Sequence, residues 1–160
     1  MSLISKSELP TTPEQPISNG QFWSGAFWPE IDPAKMRVAQ KIDSTVTPER
    51  LRDALIEAIA TVNTQLTTWR EIQIAAGHTT LEEVPAEEID DTSINVHRYR
   101  RAVACLAKAS LIERYRDFDT TAAGNKKADQ LDTPIDDLRR DARWAISDIL
   151  GVGRTVVELI

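Results

Sequence analysis

The sequence predicts an all-α protein, a helical bundle of about four helices with an extended N-terminal arm and a short C-terminal tail. Apolar residues recur at steps of three and four over long stretches, which is the period of an amphipathic helix. A capping residue followed by proline, typical of a helix start, occurs at Asp32-Pro33, Thr47-Pro48 and Thr133-Pro134. No stretch before Gly151 has the alternating or β-branched pattern of a strand.

These signals divide the chain into three parts. Residues 1–31 form an extended N-terminal arm with an aromatic anchor, residues 32–151 form the helical bundle, and residues 152–160 form a C-terminal tail. A chain of 160 residues with 41% hydrophobic residues can bury a core without disulfides or metals. We therefore expect one compact domain with two appendages.

The arm begins with residues 1–21, where Pro10, Pro13 and Pro16 favour an extended conformation. Four aromatic residues with neither helical nor strand periodicity then follow within seven positions, namely Phe22, Trp23, Phe27 and Trp28. Such rings need to be covered, because each can bury about 150–250 Å². They either fold back on the bundle of the same chain or anchor in a neighbouring subunit, and we predict the second arrangement.

The helices are predicted in order from their caps and stops. The first runs from Asp32 to about Ile42, the second over about 48–76 to the stop at Gly77, and the third from Thr92 or Ser93 to about Arg116. The fourth begins after Asp132-Thr133-Pro134 and ends at Gly151, and the acidic residues 82–91 form a solvated connection. The predicted core is Leu55, Ile59, Val62, Leu66, Leu106, Leu111, Leu138, Ala145 and Ile149.

The net charge and the cysteine content disfavour some classes of function. The net charge of −6 disfavours a general binder of nucleic acid or anionic membranes, so any such contact would be local. The single cysteine, Cys105, lies in a helical apolar pattern that suggests a buried small residue and a reducing compartment. No apolar run reaches the roughly 20 residues of a membrane span, and residues 1–20 do not resemble a signal peptide.

No catalytic, cofactor or metal site is predicted. His78 and His97 have no second ligand at metal spacing. Carboxylates do recur at helical spacing, as in Asp129 with Asp132, Asp137 with Asp141, and Glu49 with Asp53 and Glu57. Arginines interleave with them, which favours salt-bridged solvated faces over a metal site.

Two further sets of residues are candidates for contacts with partners. One set is basic, in contrast to the acidic chain as a whole: Arg98, Arg100, Arg101, Lys126 and Lys127. We expect these residues to form a solvated helix face, unless oligomerisation places them, together with Tyr99, along a DNA channel. The tail carries a short apolar, β-prone segment with Arg154, Val156, Val157, Leu159 and Ile160. It is either frayed or adds a strand to a partner sheet, and we predict strand addition.

A series of short words in this sequence resembles one protein family. The run Phe27-Trp28-Pro29-Glu30-Ile31-Asp32-Pro33 resembles the start of the head completion proteins of temperate phages with contractile tails, the family named for the product of gene L. Words that match in the same order are Ala75-Ala76-Gly77, Val84-Pro85-Ala86, Arg101-Ala102-Val103, Ala109-Ser110-Leu111, Glu113-Arg114-Tyr115-Arg116, Lys126-Lys127-Ala128-Asp129, Ile135-Asp136-Asp137-Leu138, Arg140-Asp141 and Arg143-Trp144-Ala145-Ile146. The resemblance covers about residues 22–160.

This resemblance implies a structural virion protein without enzymatic activity or cofactors. Such a protein is a head-tail connector that binds below the portal, retains packaged DNA and prepares the head for tail joining. Its implied partners are the portal protein, a tail terminator or tail-completion protein, further copies of itself in a ring, and packaged DNA without sequence preference, with no membrane partner. Its implied location is the head-tail interface of the virion, after assembly in the host cytoplasm.

Two other classes stay open from the residues alone. A cytosolic helical interaction or regulatory bundle would form a small discrete oligomer without affinity for a portal. An all-α carboxylate-metal hydrolase would need a carboxylate cluster free of arginine.

Overall fold

A computed structural model of the chain describes residues 20–116 and 134–153. Within them lie five helices: α1 (Pro33–Ala39), α2 (Pro48–Gln65), α3 (Thr67–Ala75), α4 (Ile94–Arg116) and α5 (Ile135–Leu150). A 3₁₀ turn covers Leu81–Glu83, and two short strands, β1 (Glu88–Ile89) and β2 (Thr92–Ser93), pair antiparallel. The prediction of an all-α fold is confirmed. The predictions for Lys126, Lys127 and residues 154–160 lie outside the described residues.

Two of the predicted helix starts rest on side-chain caps, whereas α5 has Pro134 at its N-cap and no side-chain cap. An Asp32 carboxylate oxygen accepts hydrogen bonds from the backbone N–H groups of Ala34 and Lys35, and the Thr47 hydroxyl accepts one from Arg50. Each cap is followed by proline, whose missing N–H has no partner in the first turn anyway. At the other end of the bundle, Gly151 stops α5 with a left-handed φ of 69°.

The single helix predicted over 48–76 is wrong, because the structure breaks it between α2 and α3. Leu66 leaves the helical geometry with φ −99° and ψ 3°. The hydroxyl of Thr67 donates to the carbonyl of Asn63 at 2.8 Å, and Thr64 donates to Ala60 at 2.9 Å. Such bonds compete with the helical ladder and bend helices. The bend lets Trp69 of α3 pack against the core.

The expectation that no strand precedes Gly151 is also wrong, because β1 and β2 form a hairpin between α3 and α4. Asp90 and Asp91 occupy its two-residue turn with φ values of 55° and 53°. A tight hairpin turn needs positive φ at both positions, which Asp tolerates better than most residues. Each strand has only two residues, too few to produce an alternating pattern in the sequence.

Helix α4 is the central element, packed against α5 on one side and α2 on the other. All predicted core residues are buried except Leu106, which is partly buried. Ala102 and Ala107 are fully buried and allow the helices to approach closely. Cys105 is buried as expected, and burial raises the pKa of its thiol.

The core position Val62 gives a test of this packing. The substitution Val62→Asp would place an unpaired carboxylate at a site with no solvent exposure. We expect it to lower the free energy of unfolding by about 3 kcal/mol or more, measured by circular dichroism during thermal and urea unfolding. The control is Thr61→Asp at the exposed neighbouring position, which should change little. Equal stability of the two variants would contradict the core assignment.

Candidate functional site

The candidate site lies around residues 20–32. Residues 22–31, called the aromatic segment below, carry the four aromatic residues Phe22, Trp23, Phe27 and Trp28. This segment is closed on itself by a backbone bridge in which the N–H of Phe22 donates to the carbonyl of Ile31 at 2.8 Å and the N–H of Ile31 donates back at 3.2 Å. The backbone N–H of Leu81 also donates to the carbonyl of Phe27 at 2.8 Å. Residues 22–31 therefore fold together with the bundle.

Three of the four aromatic rings fill the core of their own chain. Trp28 stacks on Tyr99 of α4, with 4.9 Å between ring centroids and 10° between planes. Phe27 meets Trp28 edge-on at 4.9 Å and Trp69 at 6.4 Å, and the guanidinium of Arg52 covers the buried ring of Phe22. The expectation that Phe22, Phe27 and Trp28 anchor between subunits is corrected, because all three rings are buried within their own chain. They lie against side chains of α2, α3 and α4.

Tyr99 is a buried structural residue. Its side chain has no solvent exposure, its hydroxyl donates to Asn63 at 2.7 Å, and the Ser24 hydroxyl lies 3.5 Å away. Burial raises the pKa of Tyr99 to about 12, so the phenol stays neutral at physiological pH. The alternative in which Tyr99 stacks on nucleic acid does not fit this structure, because Trp28 already covers its ring.

Trp23 is the aromatic residue of the segment that faces outward. Successive side chains of an extended backbone point to opposite sides, so the inward ring of Phe22 turns Trp23 toward solvent. Its side chain is 76% exposed, and its indole N–H donates to the carboxylate of Glu30. An open cavity of about 450 Å³ lies beside it, lined in part by Phe27, Trp28 and Val96. This held, exposed indole is suited to contact a partner.

The basic residues of α4 do not form one free cationic surface. Arg101 donates to Asp141 of α5 at 3.1 Å, and Arg98 lies 4.0 Å from the carboxylate of Asp148 and donates to its backbone carbonyl at 3.3 Å. The charges of Arg98 and Arg101 are thus largely matched within the chain. Arg100 is exposed, and no described carboxylate forms an ion pair with it.

The carboxylates at helical spacing on α5 form salt bridges. The arginines that interleave with them in the sequence predicted this arrangement. Arg140 pairs with Asp137 at 2.6 Å and with Asp141 at 3.2 Å. Partial burial would raise the pKa of Asp141, but hydrogen bonds from Arg101 and Arg140, with their positive charges, hold it below its usual value. Glu49, Asp53 and Glu57 of α2 are exposed.

Neither histidine takes part in a metal site within residues 20–116 and 134–153. A ring nitrogen of His97 lies 2.9 Å from the carbonyl of Ile89, which ties the hairpin to α4, and His78 is half-buried after the stop at Gly77. No group of three or more His, Cys, Asp or Glu residues that could hold a metal ion occurs in this part of the chain. None of the helices there is long and apolar enough to cross a membrane.

Two surface features were not predicted from the sequence. One is the tip of the β1–β2 hairpin, where Ile89 is exposed among carboxylates. The other is a groove of about 350 Å³ between α1 and α4, called the α1–α4 groove below. Its lining includes Glu30, Ile31, Asp32, Lys35, Met36, Ala39, Arg100, Arg101, Val103 and Ala104. The Asp90-Asp91 pair could have indicated the hairpin, whereas the groove joins residues that lie about 70 positions apart and has no local signal.

Comparisons with known proteins give consistent results. The family described as "Phage head completion protein (GPL)" matches residues 22–160. A curated relative, the "Head completion/stabilization protein" of Escherichia phage P2, is 46% identical over 147 residues, which cover 92% of this chain and 85% of the relative. No solved structure matches the chain at a significant level.

The two tryptophans of the aromatic segment give a matched test of this arrangement. Trp28→Ala should lower the free energy of unfolding by about 3–5 kcal/mol, because it removes a buried ring and leaves a cavity beside Tyr99. Trp23→Ala should change it by no more than about 0.5 kcal/mol, because the side chain is exposed. Urea unfolding of both variants measures the difference. A larger loss in the Trp23 variant would mean that the inward and outward rings are assigned the wrong way round.

Proposed function

The chain belongs to the phage head completion protein family, whose members are structural proteins of the virion head, and we propose that it binds below the portal protein of the DNA-filled head. There it retains the packaged DNA and presents a surface to which a tail terminator or tail-completion protein binds. It acts at the head-tail interface as a ring of identical copies and has no enzymatic activity.

The observation that carries this proposal is the extent of the family match. The match begins at Phe22 and reaches residue 160, so it includes the aromatic segment, every described helix and the tail. A resemblance confined to the bundle would support only a shared fold. Trp23, which we propose contacts a partner, therefore lies within the region that the family model matches, as the core residues do.

The described side chains also support a structural role over the hydrolase alternative. A metal hydrolase needs carboxylates that are free to coordinate, whereas Asp137 and Asp141 accept hydrogen bonds from Arg140 and Arg101. The bundle instead carries on its surface the exposed ring of Trp23, which Glu30 holds by a hydrogen bond. Such exposed, ordered tryptophans are typical anchors of protein interfaces.

We assign the contacts as follows. Trp23 contacts a neighbouring copy in the ring. Residues 154–160, which include Arg154, Val156, Val157, Leu159 and Ile160, reach the portal protein by adding a strand to one of its sheets. Contact with packaged DNA falls to Arg100, Lys126 and Lys127, because Arg98 and Arg101 are engaged with α5.

The proposal predicts that purified protein adds density at one vertex of DNA-filled, tail-less heads in negative-stain images. It should also protect the packaged DNA from release, measured as DNase-sensitive DNA after mild heating. Trp23→Ala should reduce the fraction of heads with added density, because neighbouring copies lose their anchor. The matched control is Ile72→Ala, which removes an exposed apolar side chain from α3. Heads that bind no wild-type protein would contradict the proposed function.

The tail has a separate test. Deleting residues 154–160 should abolish attachment to DNA-filled heads without lowering the melting temperature of the free protein, because α5 ends at Leu150 with its cap at Gly151 and the deletion removes no residue of a described helix. Attachment is measured by co-sedimentation with heads and stability by circular dichroism. Unchanged attachment would move the portal contact to the bundle surface or to residues 1–21.

A further inference from the structure

The cavity of about 450 Å³ beside Trp23, called the Trp23 cavity below, has two carboxylates in its lining and no Lys, Arg or His. The carboxylates belong to Glu30 and Glu82, which are both exposed. Their hydrogen-bond donors are neutral, namely the indole N–H of Trp23 and the backbone N–H of Ser93. Neither carboxylate forms an ion pair with a described cation, so these contacts leave both negative charges unmatched.

The surroundings of the two carboxylates do not reverse this charge. Glu82 begins the stretch 82–91, which contains six carboxylates and no Lys or Arg. Glu30 also lines the α1–α4 groove with Lys35 and Arg100, but no ion pair joins it to either cation. The lining of the Trp23 cavity is therefore negative, which favours a cationic group and disfavours the phosphates of DNA.

The ring of Trp23 is held by its edge. The indole N–H lies in the plane of the ring, so its hydrogen bond to Glu30 does not cover the ring face. The side chain is 76% exposed beside the cavity. Tryptophan has the aromatic ring that attracts cations most strongly. A guanidinium suits an open ring face with a carboxylate at its edge, because it is planar, stacks on aromatic rings and donates to carboxylates in its own plane.

The exposed part of the cavity is its rim. Gly25, Ala26, Glu30 and Glu82 are exposed there together with Trp23. The apolar floor, formed by Phe27, Trp28, Leu81 and Val96, is at most 6% exposed. An incoming side chain therefore meets the ring face and the carboxylates, and its binding does not depend on an open apolar pocket.

Helix α5 carries an exposed guanidinium that could supply this contact. The other two arginines of α5, Arg139 and Arg140, form ion pairs. Arg143 is exposed and forms no ion pair with a described carboxylate, including Asp136 two turns before it. The adjacent residue Trp144 is 37% exposed. Arginine and tryptophan are the residue types enriched at the centres of protein interfaces.

We propose that Arg143 of one copy enters the Trp23 cavity of a neighbouring copy. Its guanidinium stacks on the ring of Trp23 and donates to Glu30, and Glu82 adds further negative charge. This inference rests on the proposed function, because it names the residue that Trp23 contacts in the ring of copies. No residue of α5 lines the cavity, so the two faces differ and the contact can repeat from copy to copy.

Three other exposed cations fit the cavity less well. Lys35 and Arg100 line the α1–α4 groove, which shares Glu30 with the cavity, so they belong to the same face of the protein. A heterologous contact needs a cation from a different face. Arg52 already stacks over the ring of Phe22.

Arg114 of α4 is the closest match to Arg143. It is also exposed and has no ion pair with a described carboxylate. Arg114 lies in the last turn of its helix, which frays more readily than the middle of a helix. Arg143 lies inside α5, so its backbone loses less freedom on binding. Arg114 therefore serves as the control position.

Disulfide trapping on DNA-filled heads tests the contact. The double variant Ala26→Cys with Ser147→Cys, called the docking pair below, places one thiol at the rim of the cavity and one a helical turn after Arg143. Mild oxidation of the docking pair should give a ladder of covalently linked copies on denaturing gels. The control pair is Ala26→Cys with Ser110→Cys, because Ser110 lies one turn before Arg114 and is half-buried, as Ser147 is.

The outcomes of the trapping experiment are distinct. The single variants set the background, and the native Cys105 is buried in all of them. A ladder from the docking pair alone would support the contact. A bridge within one chain, equal ladders from both pairs, or a product that joins the Ala26→Cys chain to a different head protein would overturn it.

Charge reversal tests the electrostatic part. Starting from the docking pair, Arg143→Glu should lower the ladder yield about tenfold, because a carboxylate then faces Glu30 and Glu82. Arg114→Glu in the same background should leave the yield unchanged. Equal yields from these two variants would contradict the docking of Arg143.

A conservative variant tests the stacking on Trp23. Starting from the docking pair, Arg143→Lys should lower the ladder yield about threefold, because an ammonium keeps the charge but lacks the planar group. In a chain that also carries Trp23→Leu, Arg143→Lys should have no further effect, because the ring is missing. An undiminished effect in that chain would mean that Arg143 binds elsewhere, and the inference would fail.

The same samples separate this inference from the proposed function. Heads that carry the added density but yield no ladder from the docking pair would overturn the docking of Arg143 and leave the head-completion role intact. A ladder in free protein that binds no heads would support the docking and contradict attachment at the portal.

Discussion

The stack of Trp28 on Tyr99 is the contact on which the rest of the described structure depends. Tyr99 lies on the central helix α4, and its hydroxyl reaches Asn63 of α2 while its ring faces the aromatic segment. One side chain thus joins α4, α2 and the residues before α1. Because the ring is fully buried, the phenol must satisfy its hydrogen bond inside the protein, and Asn63 is positioned just before the bend between α2 and α3.

The aromatic segment combines two roles through the alternation of its side chains. Phe22 and Trp28 stabilise the bundle, while Trp23 between them is exposed and held by Glu30. The orientation of Trp23 therefore depends on the packing of its neighbours, since the backbone bridge from Phe22 to Ile31 fixes the chain on both sides. A partner that binds Trp23 would contact a preformed surface, which reduces the entropic cost of association.

Charge is distributed unevenly over this acidic protein. The face between α4 and α5 is neutralised by pairs such as Arg101 with Asp141, and the hairpin tip is negative. The α1–α4 groove carries both signs, with Lys35 and Arg100 beside Glu30 and Asp32. A negative surface such as the hairpin tip favours partner surfaces of opposite charge and disfavours acidic ones, because like-charge contacts are penalised. The exposed positions of these charges make such an effect sensitive to salt.

The sequence by itself determined the helical class, most helix boundaries and the core, because capping residues and apolar periodicity act over a few neighbouring positions. Asp32 and Thr47 marked two helix starts, and Gly151 marked a stop, at the positions where the structure has them. The short words shared with the family also identified the head-completion family from the sequence.

Only the tertiary structure decided which aromatic rings point inward, which arginines are neutralised and where the groove lies. Each of these depends on residues from distant elements, such as Trp28 with Tyr99 and Arg101 with Asp141, whose proximity follows from packing and leaves no signal in the local sequence.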